Sequence, residues 1–315
     1  MNRHDFSIFI KSSVFFVSLL VLVLIYTDMH LDKLLDIYRV KDNISIYSEH
    51  LNNYSRPIHK HDNVAIVTYT AGEPVYFSYQ NALLLSAHDN GIDRVLTYHP
   101  RDIDSEFFRK HRKIFSYNTG VGYWLWKPYV ILDAMKRMPE NSYILYLDRD
   151  CMVINDITPL LKLAEEYGRV LFGNKFINRN YTKRDTYILM DADNERMYNM
   201  HSLSASSLLL KNTAINRRFI EEWLYYCSNE QIVSDSPSKL GKELPEFFAH
   251  RHDQSILTIL ADRYKEEQFC VSYDETMKYI LNNNNRLKNM FTYSQNRYVQ
   301  SKNGFNLGLV KETNE

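Results

Sequence analysis

Two carboxylates one residue apart, Asp148 and Asp150, close the apolar run Tyr143-Ile144-Leu145-Tyr146-Leu147. Residues at i and i+2 share one face of a strand, and they can still converge if the chain turns there. Paired hard oxygens suit Mg2+ or Mn2+, which keeps several waters and takes further oxygens from a diphosphate. A lone pair of this kind is usually a solvated turn, so its meaning depends on the rest of the chain. Downstream, His250-Arg251-His252-Asp253-Gln254 gathers two imidazoles, a carboxylate and an amide. Cations come from Lys127 in "GYWLWKP" and from Lys183 and Arg184 in "TKRD". Phosphohydrolases with an aspartyl nucleophile usually place Thr two residues after the second Asp, and Met152 stands there instead. No Gly-rich phosphate loop or dinucleotide fingerprint competes. Cys151, Cys227 and Cys270 form no CxxC pair, which speaks against zinc. Cys151 reads as a buried strand residue.

Short apolar runs alternate with helical segments from Asn63 onward. "NVAIVTYT", "DRVLTYHP", "SYILYLD", "RVLFGN" and "SASSLLLKN" read as strands. "PVYFSYQNALLLSAHDNG" reads as a helix ending at Gly91, and "DSEFFRKHRKIF" as another. "WKPYVILDAMKRM" carries Pro128 near its first turn, where proline is tolerated. "ITPLLKLAEEYG" is a helix closed by Gly168, and "TAINRRFIEEWLYYCS" and "DQSILTILADRYKEE" complete the set. This alternation implies an α/β fold with a mostly parallel, Rossmann-like sheet covered on both faces. Ligands in such sheets bind beyond the carboxyl ends of the strands, where Asp148 and Asp150 lie.

The chain has 315 residues, with 38 Lys plus Arg against 38 Asp plus Glu. Zero net charge removes the global electrostatic case for nucleic acid. Ser12–Tyr26 has no charge, and with the residues before it reaches about 20, enough to span a bilayer. Arg3 and Lys11 precede this run, and Asp28, Asp32 and Asp36 follow it. The positive-inside rule puts the N-terminus in the cytosol and the remainder across the membrane. No small-x-small cleavage site follows, so an uncleaved type II anchor is expected. The expected organisation is a cytosolic segment 1–11, an anchor 12–27, a stem 28–62, a catalytic domain 63–300 and a loose tail 301–315. Asn282–Asn285 reads as a loop. Sequons at Asn43, Asn53 and Asn180 accord weakly with a lumenal chain. In a eukaryotic or viral host the domain would face the Golgi or endoplasmic reticulum lumen, and in a bacterium it would sit at the inner membrane.

"GYWLWKP" (Gly122–Pro128), the strand ending in Asp148-Arg149-Asp150, "TKRD" (Thr182–Asp185), "SASSLLLKN", "EEWLYYC" and "HRHDQS" occur here in that order. Together they resemble nucleotide-sugar glycosyltransferases of the A fold, and within them the capsular-polysaccharide-synthesis-like group. The resemblance covers about residues 63–273. It implies that Asp148 and Asp150 hold a Mn2+ or Mg2+ ion bridging the donor diphosphate, with a histidine as third ligand: His250 or, by preference, His252. Asp253 and Gln254 resemble the Asp-Gln step beside the anomeric carbon in many retaining members. Asp253 would also suit an N-cap of the helix that follows, and inverting chemistry would use a carboxylate as general base. Lys127, Lys183 and Arg184 would contact donor phosphate or sugar, and Asp185 sugar hydroxyls. Trp124 and Trp126 offer a stacking wall, although aromatics on a helix are more often core. Thr68, Tyr69 and Thr70 follow the first strand, where this fold cradles the nucleoside, and Tyr69 would stack on the base. The implied partners are a nucleotide-diphosphate sugar and a glycan, lipid or protein acceptor. A scaffold or carbohydrate-binding protein that keeps the fold without catalysis is the alternative.

Overall fold

A computed structural model of the chain describes residues 60–276 and 278–282. The expected anchor, most of the stem, the sequons at Asn43 and Asn53, and the tail lie outside the described residues. Among the described residues, no helix is long and apolar enough to cross a membrane.

The strands are β1 (Val64–Tyr69), β2 (Arg94–Tyr98), β3 (Tyr143–Leu147), β4 (Cys151–Val153), β5 (Arg169–Ile177), β6 (His201–Lys211), β7 (Phe269–Val271) and β8 (Ile280–Asn282). The larger helices are α1 (Pro74–Asp89), α2 (Trp126–Arg137), α3 (Thr158–Tyr167), α4 (Ala214–Cys227) and α5 (His252–Arg263). Six strands form one sheet in the order β2-β1-β3-β6-β5-β7. The β1–β2, β1–β3 and β5–β7 pairings are parallel, while β6 runs antiparallel to β3 and β5. The sheet is therefore mostly parallel, with β6 reversed. β4 and β8 form a separate antiparallel pair that includes Asn282, which the sequence placed in a loop.

Every residue of β1 and β3 is buried. Central strands covered on both faces need apolar side chains at odd and even positions alike, hence the unbroken runs. One face carries Ala65, Val67, Ile144 and Tyr146 against Val130, Trp223 and Leu257 from α2, α4 and α5. The other carries Val64, Ile66, Leu145 and Leu147 against Leu83 and Leu160 from α1 and α3. The chain leaves β1 towards β2 on one side and reaches β3 on the other. The crevice between the carboxyl ends of β1 and β3 is thus the switch point where such sheets take ligands.

Two sequence readings change in detail. The expected helix over "DSEFFRKHRKIF" is two short helices, Ser105–Lys110 and Arg112–Phe115, divided at His111. β5 extends to Ile177, with irregular register after Leu171 and after Gly173. Gly168 closes α3 at φ 81°, as its position suggested.

The Asn180 sequon is used internally. Its side-chain amide donates to the Glu246 carbonyl at 3.0 Å, and the Thr182 hydroxyl, 1% exposed, donates to Asn178 Oδ1 at 2.7 Å.

Candidate active site

β3 ends at Leu147, and the chain turns through Asp148-Arg149-Asp150 before β4 begins. The Asp148 amide donates to the Ser206 carbonyl of β6, and its carbonyl accepts from the Cys151 amide. Cys151 is fully buried on β4, as expected, and its thiol is free. The turn is anchored at both ends, which fixes where the carboxylates point.

Lys127 organises what lies around them. It sits in the first turn of α2 and is 2% exposed. Its ammonium lies 3.2 Å from Asp148 Oδ1 and 3.1 Å from Asp253 Oδ2, and donates to the Ala205 carbonyl at 3.0 Å. Burial works against this charge, but Asp148 and Asp253 outweigh it and hold the ammonium above its ordinary range. Tyr146 adds a hydrogen bond to Asp148 Oδ1 at 2.5 Å. Burial pushes the Asp253 carboxyl up to about 6; Lys127 pulls it back and the Asp148 charge adds to the rise. Asp150 is likewise raised to about 6, by burial first and by Asp148 second. Two carboxylates thus share one buried lysine with a third, Asp150, close by, an arrangement short of positive charge.

Asp253 lies inside the first turn of α5, where Arg251 is the cap residue. The N-cap role considered from sequence does not hold; the carboxylate turns to Lys127. The indole N–H of Trp223 donates to the Asp253 carbonyl and fixes the backbone there. The neighbouring Gln254 Nε2 is buried with no hydrogen-bond partner, as are the hydroxyls of Thr68 and Thr70 at the end of β1. Buried donors without partners mark places where a ligand group is expected.

His252 takes a different position from the one expected. Its Nδ1 is 2.8 Å from the Val233 carbonyl, which can only accept, so Nδ1 carries the proton. Its Nε2 faces Asp235 Oδ1 at 3.6 Å, with the rings of Tyr123 and Trp124 alongside. Among the described residues, no group of three or more His, Cys, Asp or Glu side chains stands ready to hold a metal. The structure does not gather His252 with Asp148 and Asp150 into such a group. His250 is no alternative, since its Nε2 pairs with the Ile232 carbonyl.

Other expected contacts are committed elsewhere. Tyr69 is 2% exposed and stacks on Trp126 at 3.9 Å between ring centroids, so both rings belong to the core. Tyr69 does not offer that face to a base. Lys183 is 2% exposed and donates to the carbonyls of Ser234 and Ser236. The Asp185 carboxylate accepts from the backbone N–H groups of Lys239 and Leu240. Burial opposes its charge, yet these bonds prevail and hold the carboxyl below its usual range. Arg184 pairs with Asp193 at 2.8 Å. The "TKRD" side chains thus engage Asp193 and the loop that follows residue 233. Trp124 stays half-buried beside His252.

Sequence reasoning missed Tyr146 and Asp235. Tyr146 had a signal, since it shares a strand face with Asp148 at i and i+2. Asp235 had none, because its neighbour His252 is set by tertiary structure. Also unforeseen were five consecutive residues with positive φ, Gly120 through Trp124. The turn brings the Trp126 indole N–H to the Gly120 carbonyl at 2.9 Å and aims Tyr123 and Trp124 at His252. At Gly122 (φ 89°), an added Cβ would meet the Phe115 backbone at 3.0 Å, and backbone cannot step aside. Gly122→Ala is expected to destabilise the domain by ~1–3 kcal/mol, read by urea unfolding. Unchanged stability would show that the turn tolerates a side chain.

The mostly parallel sheet with β6 reversed, and the turn Asp148-Arg149-Asp150 at the end of β3 joined through Lys127 to Asp253 of α5, match the glycosyltransferase A fold expected from the sequence. Residues 60–307 match the galactosyl transferase GMA12/MNN10 family, and the chain belongs to that family. No curated protein matches. Solved structures similar to this chain include mouse xyloside xylosyltransferase 1, at 12% identity over 66% of this chain and 84% of that one, with a TM-score of 0.38. A glycosyltransferase involved in glycosylation of the major capsid of PBCV-1 shares 8% identity over 73% of this chain and 98% of its own, with a TM-score of 0.40. The galactosyltransferase LgtC shares 17% identity over 66% of this chain and 73% of its own, with a TM-score of 0.37. At these scores the family assignment rests on the family match alone.

Proposed function

We propose that the protein is a membrane-anchored, metal-dependent glycosyltransferase. It moves a galactosyl group, the sugar in the family's description, from a nucleotide diphosphate donor to an acceptor hydroxyl. The observation that carries this reading is Lys127, held within 3.2 Å of both Asp148 and Asp253. It ties the carboxylates expected at the donor diphosphate to the one expected at the reacting carbon.

The residues present fit a divalent cation in part. Asp148 and Asp150 supply hard oxygens, and their crowded negative charge, visible in the raised Asp150 carboxyl, is what such a cation would offset. Bound there, Mn2+ or Mg2+ would neutralise charge growing on the leaving diphosphate. The expected third ligand, His252, is not needed if diphosphate oxygens and water complete the shell.

In the reaction the bond from sugar C1 to the diphosphate oxygen breaks, and its electron pair leaves with the diphosphate. A bond forms from C1 to the acceptor oxygen, whose proton passes to the departing phosphate oxygen. The Asp253 carboxylate would orient the sugar, and the Gln254 amide, whose Nε2 is buried without a partner, would lie beside the reacting carbon. These assignments, and retention of configuration, rest on the Asp-Gln resemblance. The N-terminal anchor read from the sequence would put the domain in the Golgi or endoplasmic reticulum lumen of a eukaryotic or viral host, or at the inner membrane of a bacterium.

Calorimetry of the full-length protein in detergent tests the donor site with UDP and UDP-galactose, with Mn2+ and with EDTA. Donor binding is expected to require Mn2+ and to weaken at least about tenfold in Asp150→Ala. The apparent Mn2+ affinity is expected to fall as pH drops through about 6, because protons compete for the Asp150 carboxylate. Equal donor binding in Mn2+ and EDTA would remove the metal from the mechanism.

A further inference from the structure

Neighbouring side chains in the turn after β3 part to opposite sides. Asp148 turns to Lys127 on the α2 side. Arg149 turns to the first turn of α1, where its guanidinium carbon lies 4.0 Å from the centroid of the Tyr76 ring. That is a stacking distance, at which cation and ring attract. The connection from β1 to α1 crowds the same ring: Gly72, at φ 94°, passes so close that an added Cβ would stand 3.3 Å from it. Among the described residues Arg149 makes no ion pair, although Asp150 follows it directly and feels its charge.

This contact spans the crevice between the carboxyl ends of β1 and β3, since Tyr76 follows β1 and Arg149 follows β3. On the α2 side of the crevice, Tyr69 is already stacked on Trp126. On the α1 side, polar groups are left over. Thr68 and Thr70 alternate with Val67 and Tyr69, which belong to the α2-side core, so their hydroxyls face α1. Both hydroxyls are buried without a partner. The Gln80 Nε2 amide, one turn along α1 from Tyr76, is also buried and unpartnered. Arg149 and Tyr76 therefore border a place where a ligand group is expected.

We infer that Arg149, backed by Tyr76, is the platform on which the donor's nucleobase stacks, an inference that rests on the glycosyltransferase reading above. A guanidinium is planar and weakly hydrated, so rings stack on its faces. Tyr76 takes one face and fixes the plane, and the other face is left for the base. A cation meant for the diphosphate would lie on the side to which Asp148 turns, and Arg149 turns away from it. Every base has a π face, so the platform adds affinity for uracil and guanine alike. It separates a nucleotide from a base-free diphosphate and leaves the choice of base to groups at the base edge.

The test is calorimetry of the full-length protein in detergent at saturating Mn2+, with UDP, GDP and ribose 5-diphosphate, which lacks only the base. Whichever nucleotide binds the wild type is expected to bind about tenfold more tightly than ribose 5-diphosphate. Arg149→Ala is expected to remove that advantage, weakening the nucleotide about tenfold while ribose 5-diphosphate stays within about twofold. Arg149→Lys keeps the charge without the plane and should behave as Arg149→Ala does. Tyr76→Phe keeps the ring and should bind as the wild type does, whereas Tyr76→Ala should lose nucleotide preferentially. Both side chains are half-buried, and thermal unfolding checks that the variants fold. Equal weakening of nucleotide and ribose 5-diphosphate in Arg149→Ala, restored by Arg149→Lys, would make Arg149 a phosphate contact and overturn the platform. Unchanged nucleotide affinity in Arg149→Lys, or a wild type that binds nucleotide and ribose 5-diphosphate alike, would overturn it too. A wild type that binds none of the three would instead sink the glycosyltransferase reading, and the inference with it.

Discussion

Asp253→Asn is expected to cut sugar transfer by about 10²–10⁴-fold while raising the melting temperature at neutral pH. The two effects have one origin. The Asp253 carboxyl is raised to about 6 in the folded protein against an ordinary 3.8, because burial and the Asp148 charge push it up further than Lys127 pulls it back. A folded-state value above the unfolded one means that the native state holds its proton more tightly between those pH values. The contribution of this group to stability is therefore fully present below about 4 and lost as pH rises through 6. At pH 7 the charge is a cost, which the neutral amide removes. Lys127 keeps Asp148 and the Ala205 carbonyl, so the substitution does not strand it. A gain of ~1 kcal/mol would raise Tm by about 2–4 °C for a domain of this size. Thermal unfolding at pH 7 and pH 4 checks the sign: the variant should lead at pH 7 and the two should converge at pH 4. A variant less stable at pH 7 would show that the Lys127–Asp253 pair repays its burial. Full activity would remove Asp253 from the site.

Lys127→Met should act in the opposite direction. The side chain is similar in length and fits an apolar surround, so packing changes little. What is lost is the ammonium shared by Asp148 and Asp253. Removing one partner of a buried pair leaves uncompensated charge and costs about 3–5 kcal/mol. Urea denaturation at pH 7 should show that loss as a lower midpoint at constant slope. Adding Asp253→Asn in the same chain should recover part of it, since one fewer carboxylate then lacks a cation. Mn2+ should also stabilise Lys127→Met more than it stabilises the wild type, by replacing the missing charge. A Lys127→Met protein as stable as the wild type would mean that Asp148 and Asp253 are neutral in the fold, and the electrostatic account of the site would fail.

Much of the fold could be read before any coordinates. β1 and β3 announce themselves as unbroken apolar runs because their pattern is local and both sheet faces are covered. The ends of α1 and α3 follow from Gly91 and Gly168, whose positive φ is a single-residue matter. The position of Asp148 and Asp150 at a strand end was equally legible, since the change from apolar to acidic occurs within the motif itself. The roles given to Tyr69, Asp185 and His252 went differently for a common reason. Each lies in a segment that marks the site, but its side chain meets a partner far along the chain: Trp126, the amides of Lys239 and Leu240, and the Val233 carbonyl.

The amino-acid sequence by itself determined the α/β class, the mostly parallel sheet, the paired carboxylates and the resemblance to A-fold glycosyltransferases, though not the GMA12/MNN10 family within them, because the first three depend on periodicity and on short motifs in order. Only the tertiary structure decided which charges meet. It set β6 antiparallel beside β3, which places the Ala205 carbonyl over Lys127. It also packed α5 against β6 and α4, which brings Asp253 to the same ammonium as Asp148. Local spacing carries no information about such a meeting, because it follows from strand order and helix packing, and the energy of a buried charge depends on its partner across that distance.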